Sequence, residues 1–102
     1  MNLRLTSRLA LVTGSTAGIG FAIAHALAAE GARVIVNGRS QNSVDIAVAQ
    51  IKAAEGGEVI GSAGDLSTAS AAQALVTKYP DIEILVNNLG IFARARSRFL
   101  RR

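Results

Sequence analysis

The sequence predicts an α/β domain built on a parallel sheet. Three features carry that expectation: four short apolar runs, three intervening segments with apolar residues at helical spacing, and glycine, serine or proline at the junctions. Strands joined through helices by short connections run parallel, because each connection must cross over the sheet. Right-handed crossovers in a doubly wound order give strands 3-2-1-4. The first two helices then cover one face and the third covers the other.

Leu9 to Thr13 is apolar and stops at Gly14, which reads as a strand buried on both faces. Gly18 to Glu30 carries Ile19, Ala22, Ile23, Ala26 and Leu27 at helical spacing, with Gly31 as its stop. Ala32 to Val36 is the second strand. Ser40 is placed to cap a second helix with Val44, Ala47, Val48 and Ile51 on one stripe, ended by Gly56 and Gly57. Glu58 to Ser62 is a weaker third strand. Ser67 is the expected cap of a third helix running to Lys78, with Pro80 beyond it, and Ile82 to Val86 is the fourth strand. That last strand would lie at an apolar sheet edge, a surface that promotes association, so the isolated chain is expected to be poorly soluble or partly ordered.

Charge divides the 102-residue chain unevenly. Residues 1–93 hold six basic side chains and seven acids, whereas residues 94–102 hold five arginines and no acid. The net +4 therefore belongs to a tail and gives the folded part no nucleic-acid signature. With no cysteine there is neither a disulfide framework nor a thiolate metal site. The first residues lack a signal-peptide apolar core, and no apolar run approaches the ~18–20 residues that span a bilayer. A soluble, cytoplasmic protein with no membrane partner is the expectation. His25, with no metal partner in the pattern, reads as structural, and Phe21, Phe92 and Phe99 form no stacking platform.

The segment Thr13, Gly14, Ser15, Thr16, Ala17, Gly18, Ile19, Gly20 sits where the first strand hands over to the first helix. Gly14 permits a sharp turn, Gly18 leaves room for a diphosphate near the main chain, and Gly20 lets the helix pack closely. Free amides at the helix start attract an anion, and Ser15 and Thr16 offer hydroxyl donors. A tight strand-to-helix turn without a ligand is the plainer reading of the same glycines.

This segment resembles the glycine motif of the short-chain dehydrogenase/reductase family. Asn87, Asn88, Leu89 and Gly90 after the fourth strand are similar to that family's Asn-Asn-Ala-Gly element, with Leu89 in the alanine slot. Asp65 and Leu66 after the third strand resemble its adenine-contacting pair. The resemblance covers residues 5 to about 92 and implies the N-terminal half of a Rossmann-type domain, residues 1–92. It implies that Asp65 accepts from the adenine amino group, Leu66 packs on the ring, and Asn88 and Gly90 contact the cofactor ribose, while Asn87 ties strands together. Plain capping of the third helix is the other reading of Asp65.

The end of the second strand bears on cofactor choice. An NAD-preferring site places an acid there for the ribose hydroxyls. Gly38 stands at about that position and Arg39 follows. A guanidinium holds a 2′-phosphate bidentately, so NADP(H) is expected over NAD(H), with a merely solvated Arg39 as the alternative.

Members of the family transfer hydride with a serine and a Tyr-x-x-x-Lys pair, the tyrosine acting as general acid/base. The one tyrosine, Tyr79, has Glu83 four residues on, so no catalytic residue is assigned. The chain alone is expected to be inactive, and an alcohol or carbonyl substrate is expected only of a full-length form. Residues 93–102 interleave arginine with alanine, serine and leucine, as a GC-rich reading frame often yields when shifted. A frameshift or truncation after Phe92 is therefore expected, leaving a tail of non-family sequence. Two other functions fit the same residues: a standalone nucleotide-binding module, and an anion- or nucleic-acid binder acting through the arginine tail.

Overall fold

Strands and helices alternate without exception along residues 6–88, the part of the chain that the computed structural model describes. They are β1 (Leu9–Val12), α1 (Gly18–Ala29), β2 (Arg33–Gly38), α2 (Gln41–Glu55), β3 (Val59–Ala63), α3 (Ala69–Lys78) and β4 (Ile82–Val86). The four strands form one parallel sheet in the order β3-β2-β1-β4, as the alternation predicts.

Each face of the sheet has its own apolar layer. On one face Val12, Val34, Val36 and Val59 pack with Ala24 of α1 and with Ala47 and Ile51 of α2. On the other, Leu9, Leu11 and Ile35 pack with Leu75 of α3, joined by the half-buried Ile60, Leu66, Tyr79 and Leu85. The central strands β1 and β2 contribute to both layers by alternation, which is why they are continuous apolar runs. Fully burying one such Val, Leu or Ile is worth about 1.5–3 kcal/mol.

Three elements differ from the sequence expectation. β2 runs past Val36 through Asn37 and Gly38, because these pair with Ser62 and Ala63 of β3. The cap of α3 is Thr68, whose hydroxyl accepts from the Ala71 amide at 3.3 Å, and Ser67 is instead bonded to Asp65. In α1 the buried positions are Gly20 and Ala24, while Ile19 is 74% exposed. Nearly every residue of α1 is apolar, so periodicity does not choose its inner face. Small size does: glycine and alanine let the helix axis approach the sheet. Ser40 caps α2 as expected, accepting from the Ser43 amide at 3.1 Å.

Among the described residues β4 lies at the sheet edge, and it carries a bulge. Leu9 pairs with Ile82 but Ala10 pairs with Ile84, so Glu83 is the extra residue, and its carboxylate meets Arg8 at 3.0 Å. A charged bulge on an edge strand opposes pairing with other chains. A second exposed ion pair, Arg33 with Asp81 at 3.0 Å, joins the start of β2 to the turn before β4. His25 of α1 lies 3.5 Å from Glu55 of α2, a helix–helix contact that fits its structural reading.

The Arg33 hydrogen bond, followed by a bond from its own backbone, holds the Asp81 carboxyl below its ordinary value of 3.8. A carboxyl depressed in the folded state stabilises it above the unfolded value and loses that contribution as pH falls through the folded value. Urea midpoints should therefore drop below about pH 4, and Asp81→Asn should flatten part of that drop. Superimposable acid profiles for the parent chain and the variant would show that the pair contributes nothing.

Candidate cofactor site

The glycine segment, Arg39, Asp65 and Asn88 converge at the carboxyl ends of the parallel strands, where open α/β sheets bind ligands. Gly14 turns the chain out of β1 with φ +59°, a conformation that costs glycine little. Its main chain is held on both sides. The Gly14 amide donates to Asn37 Oδ1 at 3.1 Å, and its carbonyl accepts from Asn88 Nδ2 at 3.1 Å. A Cβ on Gly20 would collide with that same carbonyl and with the Asn88 amide. Glycine at 20 is thus required by the closeness of α1 to the turn.

The start of α1 is open. Its N-cap, Ala17, supplies no side-chain hydrogen bond, unlike Ser40 and Thr68 on the other two helices. A Cβ on Gly18 would meet nothing within 4 Å, so the space beside the first turn is clear. Ile19 leaves its side chain in solvent next to that space. The unsatisfied amides and the helix dipole make this a favourable place for an anion.

Ser15 differs from its expected role as a hydroxyl donor to ligand. It is fully buried, its hydroxyl donates to the Val12 carbonyl at 2.7 Å and accepts from the Asn37 amide at 2.9 Å. Its own amide donates to the Asn37 carbonyl at 2.7 Å. Ser15 therefore ties the turn to β2 from inside. Thr13 ties it to β4: its amide donates to Val86 O at 3.0 Å and its hydroxyl to Asn87 Oδ1 at 3.3 Å. Asn87 thus joins neighbouring strand ends as the motif implies. Thr16 is half-buried and lies against Gly38.

Asn37 is the site residue that the sequence reading missed. It is 1% exposed, and besides accepting from Gly14 it donates through Nδ2 to the carbonyls of Ser62 and Gly64, each at 3.1 Å. One side chain thus joins the glycine turn to the end of β3. The signal was an amide residue directly after the apolar Val34-Ile35-Val36 run, which ending β2 at Val36 turned into a loop residue.

Arg39 and Asp65 are exposed at the ends of β2 and β3. Asp65 Oδ1 accepts from the Ser67 hydroxyl at 2.6 Å and the Ser67 amide at 3.0 Å. Those bonds, and after them the charge of Arg39, hold its carboxyl below the ordinary range. Asp65 thus closes the turn before α3 through Ser67 and does not cap the helix, since Thr68 does that. Leu66 is half-buried against the α3-side layer. Leu89 and Gly90 lie outside the described residues, as does the tail of residues 93–102. Tyr79 packs into the α3-side layer with the Lys78 ammonium 5.6 Å from its ring centre. Among the described residues no cluster of histidine and carboxylate side chains could hold a metal, and no helix is long and apolar enough to cross a membrane.

The family model for short chain dehydrogenases matches residues 8–101. The chain belongs to that family. It is 48% identical over 96 residues to the uncharacterized oxidoreductase YvaG of Bacillus subtilis (strain 168), a match that covers 93% of this chain and 36% of that protein. The L-sorbose reductase of Gluconobacter frateurii, solved with NADPH and L-sorbose, superposes with a TM-score of 0.81 at 33% identity, over 88% of this chain and 36% of that one. A 3-oxoacyl (acyl-carrier-protein) reductase of Agrobacterium tumefaciens, solved with NADP bound, gives 0.73 at 44% identity over 82% of this chain and 33% of that one. The chain spans about a third of the length of such relatives.

Replacing Asn37 by alanine leaves one half-buried amide and two half-buried carbonyls without their partner. At about 1–3 kcal/mol for an unsatisfied buried group, with water relieving part of the loss, Asn37→Ala should lower the unfolding free energy by roughly 2–4 kcal/mol. Urea denaturation followed by far-UV circular dichroism measures this. A change under about 0.5 kcal/mol, typical of neutral surface substitutions, would deny the side chain its structural role.

Proposed function

We propose that this chain provides the dinucleotide-binding part of an oxidoreductase that uses NADP(H), with NAD(H) the weaker alternative, and that in its full-length form acts on an alcohol or carbonyl group. The observation that carries the reading is the uncapped start of α1 beside the open space at Gly18, with Arg39 at the end of β2. The space suits a diphosphate, and the guanidinium at the adenosine end suits a 2′-phosphate. The NADPH and NADP bound in the two solved relatives support the same choice.

In this reading Gly14, Gly18 and Gly20 shape the cradle, and the amides at Ile19 and Gly20 face the diphosphate. Arg39 holds the 2′-phosphate. Asp65 takes the adenine amino group and Leu66 borders the ring. Asn88, Leu89 and Gly90 line the ribose side, and Thr13, Ser15 and Thr16 hold the turn in shape. The bound dinucleotide supplies or accepts a hydride. None of the chain's own residues is assigned proton transfer, since Tyr79 is committed to packing.

Titration followed by nicotinamide fluorescence tests this. NADPH should bind more tightly than NADH by about 10- to 100-fold, the range of a charge-assisted contact of ~1.5–3 kcal/mol. Arg39→Ala should bring the two affinities together. Equal affinities in the parent chain would remove Arg39 from the site, and binding of neither cofactor would overturn the proposal.

A further inference from the structure

Gly38 has no positive-φ backbone, yet it has no room for a side chain. A Cβ built there would collide with Thr16 Cγ2 and lie 3.2 Å from Val44 Cγ2 and 3.4 Å from Thr16 Oγ1. Thr16 belongs to the glycine turn, and Val44 is fully buried near the start of α2. Both are β-branched, so neither swings aside freely. The backbone at 38 would accept another residue; packing against Thr16 forbids it, and Val44 crowds the same space.

Position 38 is where an acid would bond the adenosine ribose hydroxyls and repel a 2′-phosphate. We infer that Thr16 is a specificity-determining residue for the dinucleotide. Its γ-methyl fills the volume that a side chain at position 38 needs. The phosphate-binding turn thereby bars the carboxylate that would favour NAD(H), and Arg39 is left as the cation facing the adenosine ribose. This rests on the cofactor reading above. It assigns Thr16 a steric role across the site, distinct from any hydrogen bond its hydroxyl makes. It also makes residues 16 and 38 a coupled pair: a bulky or branched residue at one requires glycine at the other.

The test combines G38D with T16A in the 102-residue chain and titrates NADPH and NADH by fluorescence. G38D alone should weaken both cofactors by about ten-fold or more, because the wedged side chain displaces the turn. Adding T16A should restore NADH binding by about ten-fold while NADPH stays weak, inverting the parent's preference. The inference is overturned if T16A/G38D binds NADH no better than G38D, or if G38D alone binds NADH more tightly than the parent. Should G38D fail to fold, G38A is measured by urea denaturation with and without T16A. A loss of midpoint that T16A relieves supports the coupling, and equal losses overturn it. A parent chain that binds neither cofactor defeats the cofactor reading and this inference together. A parent that binds NADPH without rescue in the double variant defeats only the inference.

Discussion

The site depends on one residue of the glycine turn, Gly14, held from two directions. The Gly14 amide is bound by Asn37 and its carbonyl by Asn88, and the same carbonyl sits where Gly20 brings α1 against it. In this part-buried setting these amide bonds matter more for the polar groups that their loss would leave unpaired than for their net worth. Asn37 is the centre of the arrangement. It belongs to β2, yet its side chain reaches the turn after β1 on one side and the end of β3 on the other. Three strand ends are thereby fixed by a single side chain, and the residues that the strands carry into the site inherit that order.

Opposite ends of the sheet are held by different physics. At the amino ends of the strands, exposed ion pairs join Arg8 to Glu83 and Arg33 to Asp81. Such exposed pairs contribute little and yield to salt and acid. At the carboxyl ends the links are neutral hydrogen bonds from Ser15, Asn37 and Asn88, part-buried or fully buried. Neutral groups leave the anion-binding potential of the helix start undiminished, because no fixed carboxylate lies in the turn itself. Asp65 stands apart at the end of β3, where its charge faces Arg39.

Alternation of strands and helices was legible because each apolar run is short and each helix ends at a recognisable stop. Strand order followed from right-handed crossovers in a doubly wound arrangement. The glycine turn was legible too, since three glycines at that spacing suit a tight strand-to-helix junction and little else. What escaped were features set by contacts between elements distant in sequence. Asn37 looked like a loop residue until its partners on β3 extended the strand. The inner face of α1 was hidden because its apolar residues surround the helix. Ser67 and Thr68 both suit a cap, and the carboxylate of Asp65 decided between them by engaging Ser67. Ser15 resembled a ligand donor in sequence, and only its burial revealed an internal tie. The bulge at Glu83 required knowledge of the register between β1 and β4.

The three helix starts show where function and stability part. A side-chain cap is worth about 1 kcal/mol, and α2 and α3 each have one. α1 forgoes it, with alanine at its N-cap. A serine or aspartate there would satisfy the first-turn amides and, in doing so, occupy the donors that an anion needs. The helix holds its place without a cap because Gly20 and Ala24 seat it against the sheet and Ile23 and Leu27 join the apolar layer beneath. Local stability is therefore surrendered at the one helix start that faces the site, and burial along the rest of the same helix makes good the loss. The apolar composition that hid the inner face of α1 is also what lets its amides stay free.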